Sequence, residues 1–187
     1  VLFRSHKIIV FYNNHMKPYQ FGIIGAGMYG KVLMKWLQQD ERAHILWVNS
    51  ASEATTKAAA QQFGVEKWST DYHEVLNDPQ VDAVVIATPP FLHAEQIEAS
   101  LKAGKHVLLE KPIAESRESL QRIVKAVESA PSLKVLEASC RHTRLTQKFK
   151  FIKEIIGSGK LGDVYHIHHN SLGRTTFIEY NPNGTWA

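Results

Sequence analysis

The sequence has little cysteine and no long apolar run, and both shortages narrow the class of protein. Among 187 residues the only cysteine is Cys140, so the fold has no internal disulfide, and we expect a reducing, cytoplasmic compartment. No run of about 18 apolar residues occurs, so we expect no membrane span. Apolar residues make up 44% and charged residues 21% of the chain, which excludes collagen-like and intrinsically disordered classes.

A strong excess of one charge is also missing. The chain has 22 basic and 18 acidic residues, a net charge of +4, and the basic excess is spread along it. No arginine–aromatic interleaving or nucleic-acid-binding motif accompanies the basic residues. We therefore interpret them as solvated helix faces and expect no nucleic-acid partner.

The first 15 residues do not resemble a signal peptide. They contain no A-x-A cleavage site, and their apolar run, residues 8–12, is too short for a signal-peptide core. Met16 follows directly and precedes a predicted strand. We hypothesise that the protein starts at Met16 and that residues 1–15 are a non-native leader; the alternative is an extra edge strand through residues 8–12.

From residue 19 onward, short apolar runs alternate with amphipathic stretches. The stretch AVVIA at residues 83–87 is apolar throughout, as in strands buried on both faces of a parallel sheet. Six strands with helices between them predict an α/β fold, a Rossmann-type doubly wound parallel sheet over residues 16–137. The predicted strands are residues 19–24, 45–48, 66–68, 83–87, 106–109 and 133–136.

Residues 138–187 follow a different pattern. Leu145, Phe149, Ile152 and Ile156 recur at helical spacing, and a long strand is predicted over residues 162–171. We expect the truncated start of a second, α+β domain.

Three glycines follow the first strand in a G-x-G-x-x-G pattern. Gly25 permits a tight turn, Gly27 allows a pyrophosphate to approach the backbone, and Gly30 allows the next helix to pack closely. The N–H groups and positive dipole end of that helix favour an anion. The pattern predicts a dinucleotide-binding loop that includes Met28 and Tyr29; the alternative is a merely tight strand–helix turn.

The end of the second strand lacks the carboxylate expected for NAD. The residues there are NSAS, 49–52, and an acidic residue at this position would bind the ribose hydroxyls of NAD. The hydroxyls of Ser50 and Ser52 could bind a 2′-phosphate instead, with Lys57 in reach. This favours NADP slightly over NAD, although no arginine accompanies Ser50; the alternative is that the serines cap the next helix.

Two further strand ends carry polar side chains. The fourth strand is followed by Thr88, Pro89 and His93, and the fifth by Glu110 and Lys111. Ligands of open α/β sheets bind beyond the carboxyl ends of the strands. The convergence of several candidate residues at one edge supports a binding site more strongly than any single motif.

These motifs resemble the Gfo/Idh/MocA family of NAD(P)-dependent oxidoreductases. The resemblance extends over residues 19–187, and the E-K-P sequence behind an apolar strand is its most specific element. The matching segments are GIIGAGMYG (22–30), ATPPFLH (87–93), AGKHVLLEKPIA (103–114) and GSGKLGDVYHI (157–167).

The resemblance implies the roles of the cleft residues. Thr88, Pro89 and His93 are expected to line the nicotinamide side of the cleft, with Glu110 and Lys111 beside the ring. The bond between Lys111 and Pro112 is commonly cis in the family. The implied activity is hydride transfer between the nicotinamide and a hydroxyl or carbonyl carbon of a small sugar, polyol or related compound.

The resemblance also assigns the catalytic and substrate residues. Lys111 is the family's recurrent catalytic lysine and is expected to contact substrate. Arg144 matches an arginine near the cleft, although Arg141 competes for the alignment and His142 has similar status. Full-length relatives continue into a sheet that completes the substrate site and usually forms a homo-oligomer interface.

Two alternatives concern the whole protein. The first is a non-catalytic, dinucleotide-binding regulator with the same fold, and the second is a nucleoside-phosphate-binding module without redox function. Lys111 and His93 favour the enzyme over the regulator, because a regulator needs only the residues that bind the cofactor.

A metal site is not expected. In a strand, His166 and His168 would share one face and His169 the other, without a carboxylate partner. Cys140 has no basic neighbour except Arg141, so a nucleophilic role is not expected either.

Overall fold

The computed structural model describes residues 17–138 and 147–168 of the chain. The strands are β1 (Tyr19–Ile24), β2 (Ala43–Asn49), β3 (Lys67–Ser69), β4 (Ala83–Ile86), β5 (His106–Leu109) and β6 (Val135–Glu137). The α-helices are α1 (Met28–Leu37), α2 (Glu53–Phe63), α3 (Tyr72–Asn77), α4 (His93–Lys102), α5 (Arg117–Ser129) and α6 (Gln147–Gly157), and a 3-10 helix spans Pro90–Leu92.

All six strands form one parallel sheet. The strand order is β3-β2-β1-β4-β5-β6, and every neighbouring pair is parallel. The order reverses between β1 and β4, and such a switch point opens a crevice at the carboxyl edge of the sheet. The predicted doubly wound parallel fold is therefore confirmed.

Helices cover both faces of the sheet, so two apolar layers form. One layer includes Val84, Ile86 and Ile97, and the other includes Ile23, Met34 and Val48. All these side chains are fully buried. Because β4 is buried at every position, the continuous apolar run that predicted it is explained.

Short polar residues and a glycine define the ends of the helices. The Asp71 carboxylate and the Ser116 hydroxyl accept backbone N–H groups at the starts of α3 and α5. Helix α2 ends at Gly64, whose φ of 65° is left-handed, a conformation that glycine adopts readily at helix ends.

All six predicted strands agree with the structure within about two residues, and β1 and β5 have the predicted bounds. The prediction for the sixth strand, residues 133–136, begins two residues early, since β6 is Val135–Glu137.

The strand predicted over residues 162–171 is wrong for the part that the structure describes. Residues 162–168 are exposed and form no strand. A strand needs a neighbour for its backbone N–H and C=O groups, and no strand within the described ranges pairs with this segment. Residues 1–16, Cys140, Arg144 and His169 lie outside the described residues.

Helix α6 agrees with the predicted apolar stripe. It spans Gln147–Gly157, and Phe151 on it is exposed. In the described part of the chain, no helix has the length and apolar character to cross a membrane.

Candidate dinucleotide-binding site

The loops that follow four strands meet at the carboxyl edge of the sheet. Ile24, the last residue of β1, pairs with Ile86 at the end of β4, and Ile86 pairs with Leu109 at the end of β5. The sheet register therefore brings the glycine loop beside the segments that begin at Thr88 and Glu110.

Two of the three glycines are required by close backbone contacts. Gly25 has a φ of +99°, and a Cβ there would lie 2.7 Å from the Ala87 carbonyl carbon and 2.8 Å from the Thr88 nitrogen. A Cβ on Gly30 would collide with the Gly25 carbonyl oxygen. Only glycine allows the turn to lie this close to β4 and to α1.

The third glycine borders open space. A Cβ on Gly27 would meet no atom of the described residues within 4 Å. Gly27 is the N-cap of α1 and has no side chain to cap the helix, and the first turn contains no acidic residue. Space beside an uncapped helix N-terminus fits the pyrophosphate of a dinucleotide.

The end of β2 anchors the glycine loop. The N–H groups of Gly25 and Ala26 both donate to the Asn49 carbonyl oxygen, at 2.9 and 3.0 Å. Asn49 is buried, and its Nδ2 donates to the Ser69 carbonyl oxygen at 2.9 Å. Asn49 thus connects the glycine loop to the end of β3, through its backbone carbonyl on one side and its side-chain amide on the other. Sequence analysis missed this role, and the only available signal was a polar residue ending an apolar strand.

The two serines after β2 have different environments. The Ser52 hydroxyl accepts the Thr55 N–H at 3.3 Å, so Ser52 caps α2, and the capping alternative is confirmed for this residue. Ser50 is half-buried, and its carbonyl oxygen accepts the Thr56 hydroxyl at 3.1 Å.

Lys57 is paired within its own helix. Its Nζ lies 2.7 Å from the Glu53 carboxylate and 5.0 Å from the centroid of the Trp68 ring. The hydrogen bond from Lys57 lowers the pKa of Glu53. Lys57 would therefore have to leave Glu53 to reach a bound phosphate.

At the end of β4, the side chain of Thr88 contacts α4. The Thr88 hydroxyl donates to Oε1 of Gln96 at 2.5 Å. Pro89 is exposed and precedes the 3-10 helix. Gln96 was not among the predicted residues, although it lies one helical turn after His93 on the buried side of α4.

At the end of β5, Glu110 is buried and Lys111 is exposed. The Glu110 N–H donates to the Ile86 carbonyl oxygen at 2.9 Å, and its carboxylate accepts the Lys111 N–H at 3.2 Å. The bond between Lys111 and Pro112 is cis, as the family resemblance implied.

The side chain of Lys111 reaches the glycine loop. Its Nζ lies 5.6 Å from the centroid of the Tyr29 ring, in the first turn of α1. A cation at this distance over an aromatic face is attracted to it. Tyr29 and Lys111 are 82 positions apart in the chain, and nothing in the sequence indicated this contact.

His93 does not line the cleft with its side chain, and this part of the prediction is corrected. The residue is fully buried. Its Nδ1 lies 2.9 Å from the Pro112 carbonyl oxygen and its Nε2 2.9 Å from the Thr88 carbonyl oxygen. The ring lies behind the loops because both nitrogens contact backbone acceptors there.

The remaining described candidates are two histidines that follow α6. His166 and His168 are exposed. Within residues 17–138 and 147–168, no three His, Cys, Asp or Glu side chains converge on a metal-sized site.

The fold and the glycine loop define a Rossmann-type dinucleotide-binding protein. Residues 19–136 match the Gfo/Idh/MocA family, described as an oxidoreductase family with an NAD-binding Rossmann fold. The chain belongs to this family.

Three similar proteins place the chain within it. An inositol 2-dehydrogenase from Rhizobium meliloti is 34% identical over 145 residues, which cover 78% of this chain and 42% of that protein. The scyllo-inositol dehydrogenase from Lactobacillus casei, solved with NAD(H) and scyllo-inositol, has a TM-score of 0.73 and 30% identity, covering 79% of this chain and 43% of that one.

The third similar protein was solved with the other nicotinamide cofactor. It is a 3-ketoreductase from Actinomadura kijaniata in complex with NADP, with a TM-score of 0.67 and 25% identity, covering 76% of this chain and 43% of that one. The chain thus spans a little over four-tenths of the length of these relatives.

Proposed function

We propose that the whole protein is an NAD(P)-dependent oxidoreductase that transfers a hydride between the nicotinamide and a hydroxyl or carbonyl carbon of a sugar or polyol. The observation that carries the proposal is the position of Lys111. It is an exposed lysine whose Nζ approaches the first turn of the glycine-loop helix. A dinucleotide held by that loop would therefore have a proton-handling group beside it.

The residues of the carboxyl edge have different roles in this proposal. The N–H groups at the start of α1 bind the pyrophosphate beside Gly27. Thr88, Pro89 and Glu110 border the nicotinamide, which supplies the hydride acceptor or donor when bound. Lys111 is the catalytic residue and exchanges a proton with the substrate oxygen through Nζ.

The substrate contacts other than that of Lys111 come from the part of the chain after residue 137. We propose that residues 138–187 begin the substrate domain and that Arg144 contributes to substrate binding there. Relatives that act on inositols support a polyol as the substrate class.

For the cofactor, we propose a slight preference for NADP. The end of β2 has no carboxylate to repel a 2′-phosphate. The residue that caps α2 is Ser52, so the Ser50 hydroxyl is not needed for capping and could bind the phosphate. The ion pair between Lys57 and Glu53 works against a strong preference. We therefore expect both cofactors to bind with similar affinity.

Titration of the 187-residue chain with NADH and with NADPH tests the cofactor assignment. We expect saturable binding of both, measured by calorimetry. Gly27→Ala is the matched variant because its Cβ meets no described protein atom, so it should fold normally and bind both cofactors weakly. Absence of binding by the folded, unsubstituted chain would contradict the proposal, with folding checked by circular dichroism.

The role of Lys111 is tested separately in the whole protein. We expect Lys111→Met to lower kcat by at least about a hundredfold, as for loss of a general acid–base group, while the Kd for NADH changes little. An unchanged kcat would remove Lys111 from the proton transfer.

A further inference from the structure

The buried imidazole of His93 connects two loops of the candidate site. His93 is the first residue of α4 and is fully buried. Its Nε2 contacts the carbonyl oxygen of Thr88, which follows β4, and its Nδ1 contacts the carbonyl oxygen of Pro112, which follows β5. Both distances are 2.9 Å, within the range of N–H···O hydrogen bonds.

These contacts hold backbone atoms rather than side chains. Carbonyl oxygens only accept hydrogen bonds, and a neutral imidazole carries one N–H, on Nδ1 or on Nε2 according to its tautomer, so the ring donates to one of the two carbonyl oxygens and contacts the other. A buried carbonyl without a donor costs free energy. The two loops are therefore held where the ring nitrogens can reach them, and their separation is set by the width of one imidazole.

A second side chain of α4 acts on the same loop. The Thr88 hydroxyl donates to Gln96, so Thr88 is attached to α4 through its side chain and through its carbonyl. The glycine loop depends on this position as well, because the backbone of Ala87 and Thr88 borders Gly25 so closely that a Cβ would not fit.

We propose that His93 is a positioning residue: it fixes the distance between the Thr88 and Lys111–Pro112 segments and thereby sets cofactor affinity and the placement of Lys111. The proposal deepens the proposed function and rests on it for the cofactor. The Pro112 carbonyl belongs to the residue after Lys111, so its attachment restrains the backbone from which the lysine side chain projects.

Two substitutions separate hydrogen bonding from packing. His93→Leu fills the buried space without any donor, and His93→Gln retains N–H donors on one nitrogen. Ser100→Ala is the matched control: Ser100 is a fully buried polar residue of the same helix, and its hydroxyl donates to the Gln96 carbonyl oxygen within α4.

The first measurement is independent of the cofactor. Hydrogen–deuterium exchange of the unliganded 187-residue chain should become faster in residues 87–92 and 110–114 of the His93→Leu variant. Exchange around Ser69 should stay unchanged, because that loop is held by Asn49. The Ser100→Ala control should leave both loop segments unchanged.

The second measurement is the Kd for NADH by calorimetry. We expect binding about tenfold weaker in His93→Leu, the scale of one lost buried hydrogen bond, with partial recovery in His93→Gln and no change in Ser100→Ala. Equal loss in the Leu and Gln variants would overturn the hydrogen-bond argument.

A further readout needs no substitution. Nitrogen-15 NMR of the unsubstituted chain should show a His93 ring N–H that is protected from solvent exchange; a ring with no protected N–H would overturn the proposal even if His93→Leu failed to fold. If the unsubstituted chain binds neither cofactor, the proposed function fails, whereas the exchange and NMR results still decide whether His93 holds the loops.

Discussion

Two lysines flank strand β5. They show how the edge of the sheet at which the strands begin, the amino edge, differs from the edge at which the strands end, the carboxyl edge. Lys105 precedes the strand and is buried, and its Nζ donates to the carbonyl oxygens of Asp78 and Val81, both at 2.8 Å. Lys111 follows the strand and is exposed, and its Nζ lies over the Tyr29 ring. The same side-chain chemistry is thus structural at one edge and available to a ligand at the other.

The amino edge is closed by its own hydrogen bonds. The Asp78 carboxylate accepts from Trp47 Nε1 at 2.7 Å, from Lys67 Nζ at 2.8 Å and from the Gln80 N–H at 2.8 Å. Burial opposes the charged carboxylate, but the hydrogen bonds from Lys67, Trp47 and Gln80 outweigh it and lower the pKa of Asp78 to about 2. Burial lowers the pKa of Lys105.

The carboxyl edge instead leaves polar groups where a ligand can reach them. Gly27 borders open space, and Pro89 and Lys111 are exposed. Side chains that are satisfied there, such as Asn49 and His93, hold backbone segments in place. We therefore expect substitutions at the amino edge to affect mainly stability and substitutions at the carboxyl edge to affect mainly cofactor binding.

The largest difference in the free energy of unfolding is expected between substitutions of Lys105 and Lys111. Lys105→Met should lower the free energy of unfolding by roughly 3 kcal/mol, because two carbonyl oxygens lose their donor. Lys111→Met should change it by less than about 0.5 kcal/mol, as for an exposed residue. Urea unfolding of both variants measures the difference, and equal losses would contradict the division between the edges.

The glycine loop provides the next comparison. Gly30→Ala should cost roughly 2 kcal/mol, because its Cβ collides with the Gly25 carbonyl and the backbone has to shift. Gly27→Ala should unfold like the unsubstituted chain and lose only cofactor binding. Thermal unfolding together with calorimetric titration separates the two effects; a destabilised Gly27→Ala would show that the space beside it is not free for a ligand.

Acid should weaken the amino edge. The pKa of Asp78 is about 2 in the folded protein and 3.8 as the ordinary value. Because the folded-state pKa is depressed, its stabilisation is complete above the ordinary pKa and is lost as the pH falls toward 2. We expect a loss of about 1 kcal/mol by about pH 3. The control is Asp78→Asn, whose unfolding free energy should start lower and lack this component of the acid dependence.

The smallest effect concerns Ser52 at the carboxyl edge. Ser52→Ala should cost about 0.5 kcal/mol, the low end for an N-cap, because the hydrogen bond to Thr55 is long at 3.3 Å. The ratio of the Kd values for NADH and NADPH should stay unchanged, whereas Ser50→Ala should alter it. A changed ratio in Ser52→Ala would mean that this serine contacts the cofactor.

Most of the fold could be predicted because the burial of a strand or helix determines which of its own residues are apolar. The apolar run at β4, the glycine after α2 and the spacing of apolar residues along each helix are all readable from neighbouring residues. The strand predicted over residues 162–171 was wrong for the described residues because apolar alternation reports a tendency, whereas a strand also requires a partner.

The site was predictable in its position but not in its internal contacts. Sequence analysis located Gly25, Thr88 and Lys111 at strand ends, where a doubly wound sheet gathers its ligands. It assigned His93 to the cleft surface, although the ring faces inward. A histidine suits both positions equally well, and only the location of the two carbonyl acceptors distinguishes them.

The sequence by itself determined the doubly wound order of elements and the glycine turn, because periodicity and the absence of a Cβ act over a few neighbouring residues. Only the tertiary structure decided which lysine is buried and which is exposed, and that one imidazole joins the loops after β4 and β5. Those outcomes depend on groups far apart in the chain, and the distances between such groups are set by the packing of the whole sheet.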